Sequence, residues 1–154
     1  MASQAIRFTG TFSLAPTPYR VETVAAVRAV RPDLDPADRL CFHWWVIDYF
    51  HTPGTRVRVG TRGRWQPRPA GVAHLYAPDT PYWEDSTPLG QRPVDAAWVN
   101  FRITPAAVLR RLCPLRNGCA RFEDPGGVLG SLLNTIVAAA APAGACAHDV
   151  DPAI

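Results

Sequence analysis

The stretch that decides the fold runs from residue 43 to residue 85 and resumes at residues 96–101. It reads HWWVIDYFHTPGTRVRVGTRGRWQPRPAGVAHLYAPDTPYWED and then, after a short loop, AAWVNF. Short apolar or alternating runs are separated about every ten residues by turns rich in Gly and Pro, a pattern typical of an antiparallel β-barrel or sandwich. The stretch therefore predicts a mainly β fold.

Composition bounds the class of protein. The chain has 154 residues, 47% of them hydrophobic and 19% charged, which is enough apolar material for one domain with a core. All 16 basic residues are Arg and none is Lys, a bias that a GC-rich coding composition explains. The formal net charge of +3 is small and scattered along the sequence, so it does not indicate a nucleic-acid surface.

The lack of an export signal and the spacing of the cysteines indicate a cytoplasmic location. The N-terminal residues lack the uninterrupted apolar core of an export signal, and no apolar run is long enough to cross a membrane. The four cysteines, at positions 41, 113, 119 and 146, have no metal-type CxxC spacing. We therefore expect reduced cysteines, no membrane partner and a cytoplasmic location.

Turn signals divide the first two thirds of the chain into predicted strands. These strands lie at residues 5–12, 21–30, 41–50, 56–59, 72–76, 82–84 and 96–103, and residues 85–93 form a polar loop. In the aromatic strand, His43, Trp45, Ile47 and Tyr49 share one face, while Phe42, Trp44, Val46, Asp48 and Phe50 share the other.

The hydrophobic period then changes to that of helices. Thr104 and Pro105 predict a helix start, and residues 106–112 place Val108, Leu109 and Leu112 on one face. Asp124 and Pro125 repeat the start signal before a second helix at residues 128–140. Its apolar stripe has two rows, which fits either one thick core face or one row on the barrel and one on a partner chain.

The order and spacing of these pieces resemble a known family. The HLYAPDTPYWE turn and strand, the AAWVNF strand and the FEDPGGVLGSLLNTI helix are similar to the N-terminal sensor domain of AraC-type transcriptional regulators. The resemblance covers roughly residues 39–141. It implies a cupin-like double-stranded β-helix, or jelly-roll barrel, at residues 1–103, two C-terminal dimerisation helices at 104–141, and a linker or disordered tail at 142–154.

The resemblance also implies a function. The chain is expected to bind a small-molecule effector, form a homodimer and act without catalysis or a cofactor, with DNA contacted only through a C-terminal helix–turn–helix part that is not in this chain. The expected dimer contacts are on the second helix. They are Val128, Leu129, Leu132, Leu133 and Ile136.

Aromatic and polar side chains of the predicted strands are the candidate ligand contacts, because Tyr and Trp combine a stacking face with one hydrogen-bonding group. The candidates are His43, Trp45, Tyr49, Arg58, Trp65, His74, Tyr76, Tyr82 and Trp98. Ordinary core packing is the alternative for each aromatic residue, and an exposed face is the alternative for Arg58.

Two further hypotheses concern the barrel interior. Cupins hold a metal with His and Glu ligands, and the corresponding positions here are Cys41, His43, Asp48 and His74, a degraded set that would make the chain a small metal-dependent enzyme. Sensor domains of the regulator type usually lack the metal, so we expect none. The third hypothesis is an interaction module whose lumen is filled by side chains, and the volume of the cavity distinguishes it from a sensor.

Overall fold

The computed structural model describes residues 10–12, 20–31, 34–105 and 107–140. Residues 5–9 of the first predicted strand, Ala106, Cys146 and the predicted tail at 142–154 lie outside the described residues. Within them, no helix is long and apolar enough to span a membrane, and Cys41, Cys113 and Cys119 are free thiols.

The fold is mainly β, with two helices near its C-terminal end. The strands are β1 (Gly10–Phe12), β2 (Arg20–Arg31), β3 (Trp45–Phe50), β4 (Thr55–Val59), β5 (Gln66–Arg68), β6 (Val72–Tyr76), β7 (Tyr82–Asp85), β8 (Val94–Thr104) and β9 (Cys119–Glu123). The helices are α1 (Ala107–Leu112) and α2 (Val128–Ala140), and a short 3₁₀ turn spans Thr87–Leu89.

The strands form two antiparallel sheets. The larger has the order β1-β2-β8-β3-β6-β9 and the smaller the order β5-β4-β7. Long-range pairing of β2 with β8, broken by one bulge between Thr23 and Ala25, ties the start of the chain to its last long strand. This two-sheet arrangement is the expected cupin-like jelly-roll barrel.

The larger sheet is covered on both faces, which explains why its central strands are buried almost throughout. One face turns toward the smaller sheet and encloses the lumen. The other carries α2, whose Leu133, Val137 and Ala140 pack against small and aromatic residues of four strands. Those strand residues are Ala26, Tyr49, Ala73, Ala97 and Val99.

A carboxylate and two glycines fix the start of α2. The Asp124 carboxylate accepts a hydrogen bond from the Gly130 amide at 3.0 Å, and this bond lowers the pKa of Asp124. Gly127 has φ of 67°, a conformation that favours glycine just before the helix. At Gly130 the helix crosses so close to β3 that an added Cβ would lie 2.7 Å from Cζ of Tyr49.

The fold differs from the sequence prediction in its details. Residues 104–141 contain β9 as well as the two helices, and β9 pairs with β6 to extend the larger sheet. β3 begins at Trp45 rather than at residue 41, because residues 43 and 44 form a bend. The loop at 85–93 is not wholly polar in character, since its 3₁₀ turn buries Leu89.

Candidate functional site

A fully buried arginine lies at the centre of the barrel. The Arg68 side chain has no exposed surface. Its Nη1 donates to Glu84 Oε1 at 2.9 Å, and its Nη2 donates to Asp48 Oδ2 at 3.0 Å and to the Tyr76 hydroxyl at 2.8 Å. The guanidinium also lies 3.8 Å from the centroid of the Phe50 ring.

Asp48 is the acceptor on which this network converges. Its Oδ2 also accepts the Tyr76 hydroxyl at 3.1 Å, and its Oδ1 accepts the His74 backbone amide at 3.1 Å. The His74 ring Nδ1 lies 3.5 Å from the same Oδ1. We name Arg68, Asp48, Glu84, Tyr76 and His74 the central network.

Burial and neighbouring charges have opposite effects on the pKa values of Asp48 and Arg68. Burial alone would raise the pKa of Asp48, but Arg68 and His74 outweigh it and the pKa is lowered. Burial would lower the pKa of Arg68, but Asp48 and the other acidic neighbours raise it. Burial raises the pKa of Tyr76 well above its usual value, so the hydroxyl stays protonated and can donate. The network is therefore an ion pair between Arg68 and carboxylates at neutral pH.

Four strands from both sheets position the central network. Asp48 comes from β3, and His74 and Tyr76 come from β6, where alternation points both into the lumen. Glu84 comes from β7 and Arg68 from the end of β5, both in the smaller sheet. The ion pairs therefore join the two sheets across the interior.

A small cavity adjoins the central network. Its volume is about 50 Å³, which is room for one or two water molecules at about 30 Å³ each. The lining residues are Leu34, Leu40, Phe42, Val46, Asp48, Phe50, Tyr82, Glu84, Val94, Ala96 and Trp98. Pockets for drug-sized ligands measure about 300–1,000 Å³, so this cavity is largely filled by side chains. A filled lumen counts against a small-molecule sensor and favours the interaction module.

The structure does not bring the nine predicted ligand contacts together. Tyr82 and Trp98 line the cavity, and His74 and Tyr76 belong to the central network beside it. Trp45 and Tyr49 are buried on the opposite face of β3, against the side of the sheet that the helices cover. Ligand binding by these residues stays a prediction.

The other three candidates lie outside the lumen. His43 is exposed and its ring contacts Asp79. Arg58 and Trp65 are on the outer face of the smaller sheet, where the Arg58 guanidinium lies 4.2 Å from the Trp83 ring centroid and 5.1 Å from that of Trp65. The lumen-facing row of β3 is therefore Val46, Asp48 and Phe50 rather than the row that contains Trp45 and Tyr49.

The residues suggested for a metal do not fit one together. Cys41 and His43 are exposed before β3, whereas Asp48 and His74 are buried in the lumen. The Asp48 carboxylate is already engaged by Arg68 and Tyr76. In the part of the chain that the structure describes, no three His, Cys, Asp or Glu side chains group as metal ligands.

Arg68 and Glu84 are the site residues that sequence reasoning missed. Arginine is usually exposed, and Arg68 lies between two prolines in a segment that resembles a turn. Its partners are 16 and 20 residues away along the chain, at Glu84 and Asp48. The available signal was the pair of acidic residues in otherwise aromatic strands, which require a buried cation if they face inward.

Comparisons with known proteins give the fold. Neither a protein-family model nor a curated protein matches the chain. Among solved structures, the protein YhaK from Escherichia coli aligns with a TM-score of 0.50 at 16% identity, over 84% of this chain and 58% of YhaK. This similarity shows a shared fold.

Two further solved structures align with lower TM-scores. Apo ToxT from Vibrio cholerae aligns with a TM-score of 0.47 at 13% identity, over 77% of this chain and 48% of ToxT. Hydroxypropylphosphonic acid epoxidase from S. wedmorenis aligns with a TM-score of 0.42 at 11% identity, over 61% of this chain and 55% of the epoxidase. The chain thus spans about half the length of these solved structures.

Proposed function

We propose that the chain is a regulatory, non-catalytic domain of an AraC-type transcriptional regulator, acting in the cytoplasm as a homodimer. The resemblance of its strand and helix order to that family supports the class. The observation that supports the proposed dimer is that α2 has one buried apolar row and one exposed apolar row.

The exposed row follows helical spacing. Val128, Leu132 and Ile136 are exposed by 63%, 55% and 37%, and they lie four residues apart on one side of α2. The adjacent row contains Leu133, which packs against the barrel, and Leu129, which is half-buried. Of the five predicted interface residues, only the three of the exposed row are therefore available to a partner.

A strand residue adds to the same side of the molecule. Val30 is 51% exposed and lies on the face of β2 that includes Ala26 and Arg28, both of which contact α2. In the described residues, every exposed large hydrophobic side chain thus belongs to the helix-covered side. A second copy using the same patch would bury it in a two-fold interface.

β3 offers a route from the lumen to α2. Asp48 points into the central network, and the next residue, Tyr49, points to the other face and packs under Gly130. Burial raises the pKa of the Tyr49 hydroxyl, and the nearby carboxylate of Asp124, which caps α2, raises it further. A movement of β3 at Asp48 would also displace Tyr49, which contacts the first turn of α2.

The cavity limits the effector in this proposal. A volume of about 50 Å³ accepts only a small chemical group unless the side chains of the lumen rearrange. An effector that switches the protein must bind two arrangements with different affinity. Movement of Trp98 or Phe42, both half-buried at the cavity wall, would provide the second arrangement.

The dimer is tested by charge substitution on each row of α2. We expect Leu132→Glu to give a folded monomer, since a charge at an exposed interface position opposes association without touching the core. Leu133→Glu should instead unfold the chain, because it buries a carboxylate against apolar side chains. Sedimentation velocity gives the mass, and circular dichroism gives the fold.

The matched control is Ser131→Glu, which adds the same charge at an exposed position of α2 beside the apolar row. It should leave the mass of a dimer unchanged. A monomeric wild-type protein at micromolar concentration, or a dimer that survives Leu132→Glu, would contradict the proposed function.

A further inference from the structure

The smaller sheet and the connection between β4 and β5 carry a concentration of positive charge. Residues 55–68 contain five arginines and no acidic residue. Arg68 is buried in the central network, and Arg56 is ion-paired with Asp85. The other three are Arg58, Arg62 and Arg64, for which no ion pair occurs with any described residue.

Two tryptophans hold one of these arginines in place. Arg58 pairs across the strands with Trp83, and its guanidinium lies between the rings of Trp83 and Trp65 at 4.2 and 5.1 Å from their centroids. These cation–π contacts restrict the rotamers of Arg58 before any partner arrives. Ordering this side chain on binding therefore costs little entropy.

The neighbouring hairpin extends the surface. Arg62 and Arg64 are exposed in the connection between β4 and β5, and Trp65, which follows them, is half-buried. We name Arg58, Arg62, Arg64, Trp65 and Trp83 the arginine face. It comprises residues of the smaller sheet and of the connection between β4 and β5, whereas the proposed dimer contacts lie on α2, which packs on the larger sheet.

We propose that the arginine face is a docking surface for an acidic segment of a partner protein. Arg and Trp are the residues most enriched among the few side chains that dominate protein–protein binding energy. Three arginines without carboxylate partners give this face a positive potential, and charge complementarity therefore favours acidic side chains over basic ones.

A protein partner suits this face better than a nucleic acid. Three arginines can neutralise about three phosphates, whereas salt-sensitive DNA binding typically rests on about six to ten such contacts. Trp83 is buried beneath Arg58 and cannot stack on a base. An Arg in contact with two indoles, followed in the chain by two exposed arginines, instead matches a small protein-binding hot spot.

The test uses the full chain and a fluorescein-labelled decapeptide of alternating Glu and Leu as the probe. We expect fluorescence anisotropy to rise on titration at low salt and the rise to be lost at high salt. Arg58→Ala, and separately Arg62→Ala with Arg64→Ala, should each weaken binding by about tenfold. Either effect alone supports the proposal if the other variant fails to fold.

The matched control is Arg110→Ala with Arg111→Ala, which removes two exposed arginines from α1 on another part of the molecule. It should leave the affinity unchanged. Equal weakening in this control, absence of binding by the wild type at low salt, or tighter binding of a ten-residue oligothymidylate than of the peptide would overturn the proposal.

Discussion

Arg68 carries its charge in the interior of the barrel. The same buried surroundings make its desolvation unfavourable and supply the ion pairs that offset it. Moving an ion out of water costs several kcal/mol, which the ion pairs with Asp48 and Glu84 and the bond to Tyr76 offset. An apolar side chain in a filled lumen would avoid that cost. The main contribution of the network is therefore to the arrangement of the strands, because it connects four strands from two sheets at one point.

Removing the cation should be strongly destabilising. Arg68→Met keeps the approximate length of the side chain but leaves the buried carboxylates without their partner, and we expect a loss of about 3–5 kcal/mol in the free energy of unfolding. Arg28→Met is the control, since Arg28 forms a half-exposed pair with Asp95 and such pairs contribute about 1 kcal/mol or less. Urea denaturation measures both, and equal losses would contradict the role given to Arg68.

The pH dependence should change direction in the same variant. In the wild type the pKa of Asp48 is lowered, so its contribution to stability is present above the ordinary carboxyl pKa of about 4 and is lost as the pH falls through the folded value. Without Arg68, burial raises that pKa and the folded state binds the proton more readily. The free energy of unfolding of Arg68→Met should therefore increase as the pH falls from 7 to 5. Over the same range Asp48 should leave the free energy of unfolding of the wild type unchanged.

At the scale of elements, the distance between α2 and β3 depends on the absence of one side chain. Gly130→Ala would place a Cβ 2.7 Å from the Tyr49 ring, and overpacking of this kind costs about 1–3 kcal/mol. This loss should exceed the gain in helix propensity of about 1 kcal/mol. Gly126→Ala is the control, because its Cβ would meet only Val128 at 3.7 Å. Thermal melts should show a lower Tm for the Gly130 variant alone.

Periodicity predicted most of the elements. The strands at 21–30, 56–59, 72–76 and 96–103 and the helix at 128–140 correspond to β2, β4, β6, β8 and α2. The strand β9 was missed because it has only five residues and two of them are charged. Asn117 and Gly118 before it form a turn dipeptide, and Ala120 and Phe122 alternate with charged residues, so a hairpin signal was present.

The inner face of β3 could not be chosen from sequence, because both faces of that strand are buried and both contain aromatic residues. Alternation separated the two rows correctly. It gave no indication that α2 covers the row with Tyr49 and that the smaller sheet covers the row with Asp48. Which element covers each face of β3 is determined by contacts between segments that are distant in the sequence.

At the scale of the whole molecule, the arrangement predicts a protein that keeps its stability without a metal. The purified chain should contain substoichiometric Zn, Fe and Mn by mass spectrometry, and EDTA should leave its Tm unchanged, since Arg68 already supplies the cation for Asp48. A bound metal that is lost in His74→Ala, but retained in the exposed control His43→Ala, would favour the small metal-dependent enzyme instead.

The position of β9 has a consequence for how molecules meet at high concentration. It is an outer strand of the larger sheet, so one side of its backbone has no neighbouring strand within the described residues. Arg121 and Glu123 are exposed along it, and charged side chains on an open edge oppose pairing with a second chain. We therefore expect the charges on β9 to oppose edge-to-edge aggregation of the protein.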